Sequence, residues 1–159
     1  MILRFVVYGH PEPQGSTRAF IPRGWKRPIV TSANPKQKPQ RQQVAAMALV
    51  AMREAGFECA GREVPMVVTL RFFFAKPKSA RKRDLFNTKK PDADKLARLV
   101  LDSLTGTVFH DDAQVVRLIA EKHYGEPERT EIEVRAIQDN LGLEFLAGEK
   151  LTEIATHVN

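Results

Sequence analysis

The sequence predicts a single α+β domain built on a mixed or antiparallel sheet of about four strands with about three helices. Three observations carry that expectation. The chain has 159 residues, 43% of them apolar and 28% charged, which is a one-domain length and a globular composition. Residues 64–75 alternate with period two: Met66, Val68, Leu70, Phe72 and Phe74 share one side, Val67, Thr69, Arg71 and Phe73 the other. Residues 94–104 repeat at helical spacing instead, with Leu96, Leu99, Val100, Ser103 and Leu104 on one face and Asp94, Arg98 and Asp102 opposite.

The elements follow in order. Residues 2–8, apolar and rich in β-branched and aromatic side chains, read as a strand ending at Gly9-His10-Pro11. Residues 11–43, punctuated by Pro11, Pro13, Gly15, Pro22, Gly24, Pro28 and Pro35 among polar residues, read mainly as a long loop. A helix is expected over 41–55, where Val44, Met47, Ala48, Ala51 and Ala55 recur on one face and Gly56 supplies the stop. The period-two strand at 64–75 leads into a second loop, 75–90, and then into the 94–104 helix, closed by Thr105-Gly106. Residues 115–124 and 130–137 alternate as two strands expected to pair antiparallel across Gly125-Glu126-Pro127. Residues 138–159, with Leu143, Leu146, Leu151 and Ile154, read as a short amphipathic helical extension beyond the domain at 1–137.

Composition narrows the classes. The single cysteine, Cys59, excludes an intramolecular disulfide framework and a Cys-rich zinc site. The N-terminal apolar run is short, contains Arg4 and lacks a small-residue cleavage site, so no secretory leader is expected. No window approaches the roughly 18 apolar residues of a membrane span, and a cytoplasmic setting is expected. The net charge of +6 is unevenly spread. Segment 11–43 holds Arg18, Arg23, Lys26, Arg27, Lys36, Lys38 and Arg41 against Glu12 alone. Segment 75–90 holds Lys76, Lys78, Arg81, Lys82, Arg83, Lys89 and Lys90 against Asp84 alone. The two segments together carry a net +12 and the remainder a net −6. Two basic loops on an acidic body suit a polyanion, because each cation that meets a phosphate releases counterions. Trp25 and Phe20, inside the first loop, either stack on unpaired bases or anchor the loop.

Two carboxylate pairs stand out. Pro91-Asp92-Ala93-Asp94 opens the 94–104 helix, where backbone N–H groups favour negative charge. Capping explains one of these acids and leaves the other over. Asp111-Asp112 comes just before the strand at 115. If that strand starts beside the helix start, three or four carboxylates surround one point, a cluster stable only around a hard cation such as Mg²⁺. With phosphodiesters held by the basic loops, such an ion supplies Lewis-acid and water-activating chemistry for hydrolysis. His110 reads first as a loop residue and only then as a fourth ligand or a phosphate contact, histidine not being a preferred Mg²⁺ ligand, while His10, His123 and His157 are too scattered to form a motif. Asp102 reads as the i,i+4 partner of Arg98.

The run Pro91-Asp92-Ala93-Asp94-Lys95-Leu96, then Asp102-Ser103-Leu104, Asp111-Asp112-Ala113-Gln114-Val115 and Lys122, resembles the signature of RusA-type Holliday junction resolvases. The turn Gly9-His10-Pro11-Glu12-Pro13-Gln14-Gly15 is similar to that family's N-terminal Gly-x-Pro-x-Pro-x-Gly turn, and the likeness spans residues 2–137. The resemblance implies a RusA-like fold and a phage, prophage or bacterial origin. It further implies a homodimeric endodeoxyribonuclease that binds four-way DNA and makes paired, symmetric nicks with Mg²⁺ or Mn²⁺. Carried onto this chain, it makes Asp92, Asp94 and Asp112 the metal-binding catalytic acids, Asp111 the adjacent acid and Lys122 a basic position on the next strand.

The chain departs from that pattern twice. Lys95 replaces the usual Asn after the second Asp, and Arg98 replaces the usual Lys four residues after it. Arg98 retains the charge for a phosphate or developing oxyanion but gives up no proton at neutral pH. The expected catalytic set is therefore Asp92, Asp94, Asp112, Arg98 and Lys122, with Arg18, Arg23, Lys26, Arg27, Lys76, Lys78, Arg81, Lys82, Arg83, Lys89, Lys90 and Lys95 on the DNA. The rival reading is a relative that binds branched DNA without cutting it, Lys95 having replaced the metal by an internal ion pair. An RNA-processing domain ranks below both, since no RRM-type aromatic motif is present. The tail at 138–159 lies outside the likeness and is expected to serve dimerisation or regulation.

Overall fold

In the computed structural model, which describes residues 1–32 and 34–137, β1 (Ile2–Tyr8) is followed by a hairpin, β2 (Thr17–Phe20) and β3 (Ile29–Ser32), then α1 (Gln37–Ala55). β4 (Met66–Phe74), α2 (Ala93–Leu104), a 3₁₀ turn (Asp112–Gln114), β5 (Val115–Tyr124) and β6 (Arg129–Ala136) complete the domain. The main sheet has the order β1-β6-β4-β5 and the hairpin forms a separate two-stranded sheet. The α+β expectation holds, with two α-helices among the described residues. The helix expected at 138–159 lies outside them.

The period-two reading of β4 is the frame of the core. Met66, Val68, Leu70, Phe72 and Phe74 are all buried, and Leu3, Phe5 and Val7 of β1 and Ile132 and Val134 of β6 line up beside them. Both helices cover this side, α1 through Val44, Ala48 and Ala51, α2 through Leu96, Ala97, Val100 and Leu104. On the opposite face Arg4–Glu133, Arg71–Glu121 and Arg129–Glu131 pair at 2.8–3.3 Å in partial exposure. Such solvated pairs add little stability.

Three expectations need correction. The first basic segment is a hairpin followed by a helix rather than mainly a loop, because α1 begins at Gln37 instead of residue 41. Asn34 makes this possible: its side-chain oxygen accepts from Lys36 N at 3.0 Å, organising the turn that Pro35 opens. The buried stripe of α1 runs Gln37, Val44, Ala48, Ala51, whereas Met47 is 37% exposed and Ala55 is exposed. Finally, β5 and β6 do not pair with each other. β4 lies between them, parallel to β5 and antiparallel to β6.

That insertion sets a demand on the 125–128 connection, which has to cross the end of β4 closely. Gly125 N donates to Phe74 O at 2.9 Å, and a Cβ on Gly125 would lie 2.8 Å from Phe73 Cδ1. The Phe73 ring has little room to give way, with the Arg129 guanidinium 3.7 Å over its centre and His123 stacked at 5.2 Å. Gly125→Ala is therefore expected to cost about 1–3 kcal/mol by overpacking, read as a lower urea midpoint with unchanged slope.

Candidate active site

The connection β4–α2–β5 joins two parallel strands through a helix. The start of α2 lies at the C-terminal end of β5, where Lys122 Nζ donates to Lys89 O (2.6 Å) and Pro91 O (2.8 Å). The chain just before it also runs against this end, Tyr124 N donating to Leu85 O and Asn87 N to Lys122 O. The end of α2 leads to the opposite side, where Ala60 N donates to Val108 O and Gln114 Nε2 reaches Gly61 O and Val64 O. Asp92 and Asp94 thus occupy one end of this unit, Asp111 and Asp112 the other. With 12 residues in α2 and 10 in β5, the separation is on the order of 20 Å. The expected convergence of all four within one chain does not occur, because a helix between parallel strands runs opposite to both. Among the described residues no three His, Cys, Asp or Glu side chains come together as a metal site.

The two acidic pairs also differ in what holds them. Asp111 caps the 3₁₀ turn: its Oδ1 accepts from Ala113 N at 2.9 Å, while Gln114 Oε1 accepts from Asp111 N (3.1 Å) and His110 N (2.9 Å). This capping box satisfies donors at the head of the turn and gives Asp111 and Gln114 structural work. Asp112 makes no cap and is exposed. Asp92 occupies the N-cap position of α2 with no side-chain capping bond, so capping does not account for it.

Asp92 Oδ2 instead meets Lys95 Nζ at 3.0 Å, both side chains 47% exposed. The Lys95 hydrogen bond, the Lys95 charge and, more weakly, Lys90 and Lys122 hold the Asp92 carboxyl below its ordinary value. The same contact and the nearby Asp94 raise Lys95. Asp92 lines a cleft of about 380 Å³ with Lys95, Lys90, Pro91, Pro13 and His10. Two lysines around one carboxylate make a seat for a phosphate with room for a cation.

The N-terminal turn reaches this cleft because it is tied to α2. Gln14 N donates to Lys95 O at 2.9 Å and Gln14 Nε2 to Asp102 Oδ2 at 2.8 Å, while Arg41 Nη2 meets the same Asp102 oxygen at 2.6 Å. Asp102 is therefore not the partner of Arg98. It fastens the turn and α1 onto α2, and Arg98 is exposed with no ion pair among the described residues.

The basic residues sort into two kinds. At the hairpin tip Arg23, Lys26 and Arg27 are exposed beside Trp25 (61%), Ile21 and Phe20, so the aromatics do not anchor the loop; Arg18 lies on β2. In the second segment Lys78, Arg81, Lys82, Arg83, Lys89 and Lys90 are exposed. Lys76 is engaged inside its own loop, donating to Lys82 O (2.9 Å) and Asp84 O (2.7 Å) with Tyr124 5.9 Å away. It shapes the loop rather than facing a ligand. Lys122 is likewise occupied by two carbonyls, and Lys95 by Asp92. Sequence reasoning passed over His10, which a sheet edge and a turn bring into the cleft from far along the chain.

The Asp92–Lys95 pair yields a titration prediction. A depressed carboxylate contributes stability above its unfolded value and loses it as pH falls through the lower folded value. Side-chain carboxyl NMR should show Asp92 titrating below 3.8, and Lys95→Ala should bring it back up toward that value.

The chain is similar in sequence to known proteins over most of the domain. The Endodeoxyribonuclease RusA family model matches residues 11–135. The chain is 32% identical over 146 residues to the uncharacterized protein YqaN of Bacillus subtilis (strain 168), covering 85% of this chain and 96% of that protein. It is also 32% identical over 87 residues to the crossover junction endodeoxyribonuclease rusA of Lactococcus phage r1t, covering 54% of this chain and 66% of the phage protein. The family match spans most of the domain, and the chain belongs to the RusA endodeoxyribonuclease family.

Proposed function

We propose that the protein is a divalent-metal-dependent endodeoxyribonuclease, encoded by a bacterium, phage or prophage, that resolves four-way DNA junctions by paired, symmetric nicks in the cytoplasm of the cell. The observation that carries this reading is Asp92, uncapped beside Asp94 at the head of α2, in a cleft shared with Lys90 and Lys95. Two carboxylates suit Mg²⁺ or Mn²⁺, which keeps several waters and completes its shell with substrate oxygens. The bound ion would polarise the scissile phosphate and lower the pKa of water. Asp92 and Asp94 would hold it, with Arg98 offering charge to the reacting phosphate, while Lys122 keeps 89–91 in place. The cations at the hairpin tip and on the 78–90 loop would grip the junction arms.

Asp112 enters this scheme through a second copy. Among the described residues β5 lies at the edge of the main sheet, with its last residues covered by 85–87. Val116, Leu118 and Ile119 are 41–58% exposed there, an apolar edge that invites strand addition. A second chain pairing antiparallel along 115–121 would be centred near Leu118. It would carry its own Asp112 toward the end where Lys122 holds Pro91, adding a third carboxylate to each Asp92–Asp94 pair. A two-fold dimer of this kind also matches a four-way substrate with two equivalent strands to cut.

The Lys95–Asp92 contact specifically favours a second reading, a binder whose lysine stands in for the metal. Both groups are well exposed, however, and a solvated, salt-screened pair opposes a divalent ion weakly. Labelled four-way DNA decides between them. Nicks at opposed positions in Mg²⁺ or Mn²⁺, reduced at least ~10²-fold by Asp92→Asn with binding intact, are the expected result; binding without cleavage in either metal would establish the non-catalytic relative. Replacing Lys78, Lys82 and Arg83 by Ala should weaken binding and flatten its salt dependence by up to about 0.9 log units per lost phosphate contact.

A further inference from the structure

The Asp92 cleft contains an imidazole that no motif assigns. His10 Nδ1 lies 2.9 Å from Glu128 Oε1, and its ring meets the Phe74 ring edge-on at 5.5 Å. Glu128 is itself fixed twice: the same oxygen accepts from Ala75 N at 3.1 Å, and its carbonyl accepts from Gly9 N at 2.9 Å. Burial works to raise the Glu128 carboxyl, but the Ala75 N–H, the His10 hydrogen bond and the His10 charge outweigh it and hold the group low. An ionised carboxylate only accepts, so in the neutral ring the proton resides on Nδ1 and Nε2 keeps its lone pair. His10 is half exposed and lines the cleft with Lys90, Lys95 and Asp92, the charged groups that share it.

We propose that His10, oriented by Glu128, takes the proton from the water that attacks the scissile phosphate at Asp92. The assignment rests on the nuclease reading and extends it to a catalytic residue and a positioning residue outside the Asp signature. The other basic groups nearby are engaged or unsuited: Lys95 bonds Asp92, Lys122 bonds two carbonyls, the Lys90 ammonium has no lone pair to take a proton, and Arg98 does not release its own. In the step, the water oxygen forms a bond to phosphorus as its proton passes to His10 Nε2. The bond from phosphorus to the leaving deoxyribose oxygen breaks, and that oxygen takes a proton from solvent. The imidazolium returns its proton to solvent, so one water is consumed per nick. Glu128 fixes the tautomer and orientation, the part a carboxylate plays behind any imidazole base.

Single-turnover cleavage of labelled four-way DNA by the full chain in Mg²⁺ tests this. His10→Ala and His10→Gln should each cut about 10²-fold more slowly or worse while binding the junction as wild type does. Added imidazole should restore much of the rate to His10→Ala, whose cleft is open to it, and not to His10→Gln, which fills the space. Glu128→Gln should slow cleavage without responding to imidazole, since the ring is present in the wrong tautomer. Wild type cutting while His10→Ala cuts equally fast, or stays slow at every imidazole concentration, overturns the assignment alone. Wild type failing to cut in either Mg²⁺ or Mn²⁺ overturns the nuclease reading and this residue's role with it.

Discussion

A helix that joins two parallel strands has to travel back along them, and the arrangement of this domain follows from that constraint. β4 and β5 are parallel, so α2 runs against both and its two ends fall at opposite ends of the sheet. The acids that open the helix and the acids that precede β5 are thereby held apart by a strand length. Each end acquires its own chemistry. One gathers lysines and an imidazole around Asp92; the other is stitched by the Asp111–Gln114 capping box, with Asp112 left exposed. Under the proposed function, a cation-binding site of three aspartates would have to be shared between two chains.

The Asp92 end is assembled from segments distant in sequence through a few well-placed polar contacts. Lys122 reaches from β5 to two carbonyls ahead of α2, fixing the helix start on the sheet. Asp102 receives both Gln14 and Arg41 and so ties the N-terminal turn and α1 to the middle of α2. Glu128 binds the end of β1 and the end of β4 through Gly9 and Ala75. The apolar layer beneath, with Phe72, Leu70 and Leu96 fully buried, supplies the stability that allows these polar groups to be spent on position. The exposed arms at 21–28 and 78–90 then extend from a rigid base.

Much of this was legible in the sequence where one periodicity dominates. β4 and α2 each bury one main stripe, and the side chains read from spacing lie in the core, with Val67 on the other side of β4 and Ala97 of α2 buried as well. Pro35, Pro39 and a run of polar residues look like loop and put the expected start of α1 too late, whereas Asn34 and Pro in the first turn are compatible with a helix start. Pairing of β5 with β6 looked natural for neighbours joined by a short turn; alternation shows which residues face the core but not which strand lies alongside. Asp102 and Lys76 were assigned by local spacing and charge, yet both are decided by partners elsewhere in the fold. His10 carried no signal at all, since its partner Glu128 lies at the far end of the chain and only the β1–β6 register brings the two together.

The central claim is that each reaction centre combines Asp92 and Asp94 of one chain with Asp112 of another. Subunit mixing tests it most directly. Asp92→Asn and Asp112→Asn are each expected to be inactive alone while still binding four-way DNA. After the two are mixed and allowed to exchange subunits, a mixed dimer holds one centre with both substitutions and one with neither. The account predicts that nicking reappears, one strand per dimer. If exchange is demonstrated and the mixture stays as inactive as its components, the acids act within single chains and the account is contradicted.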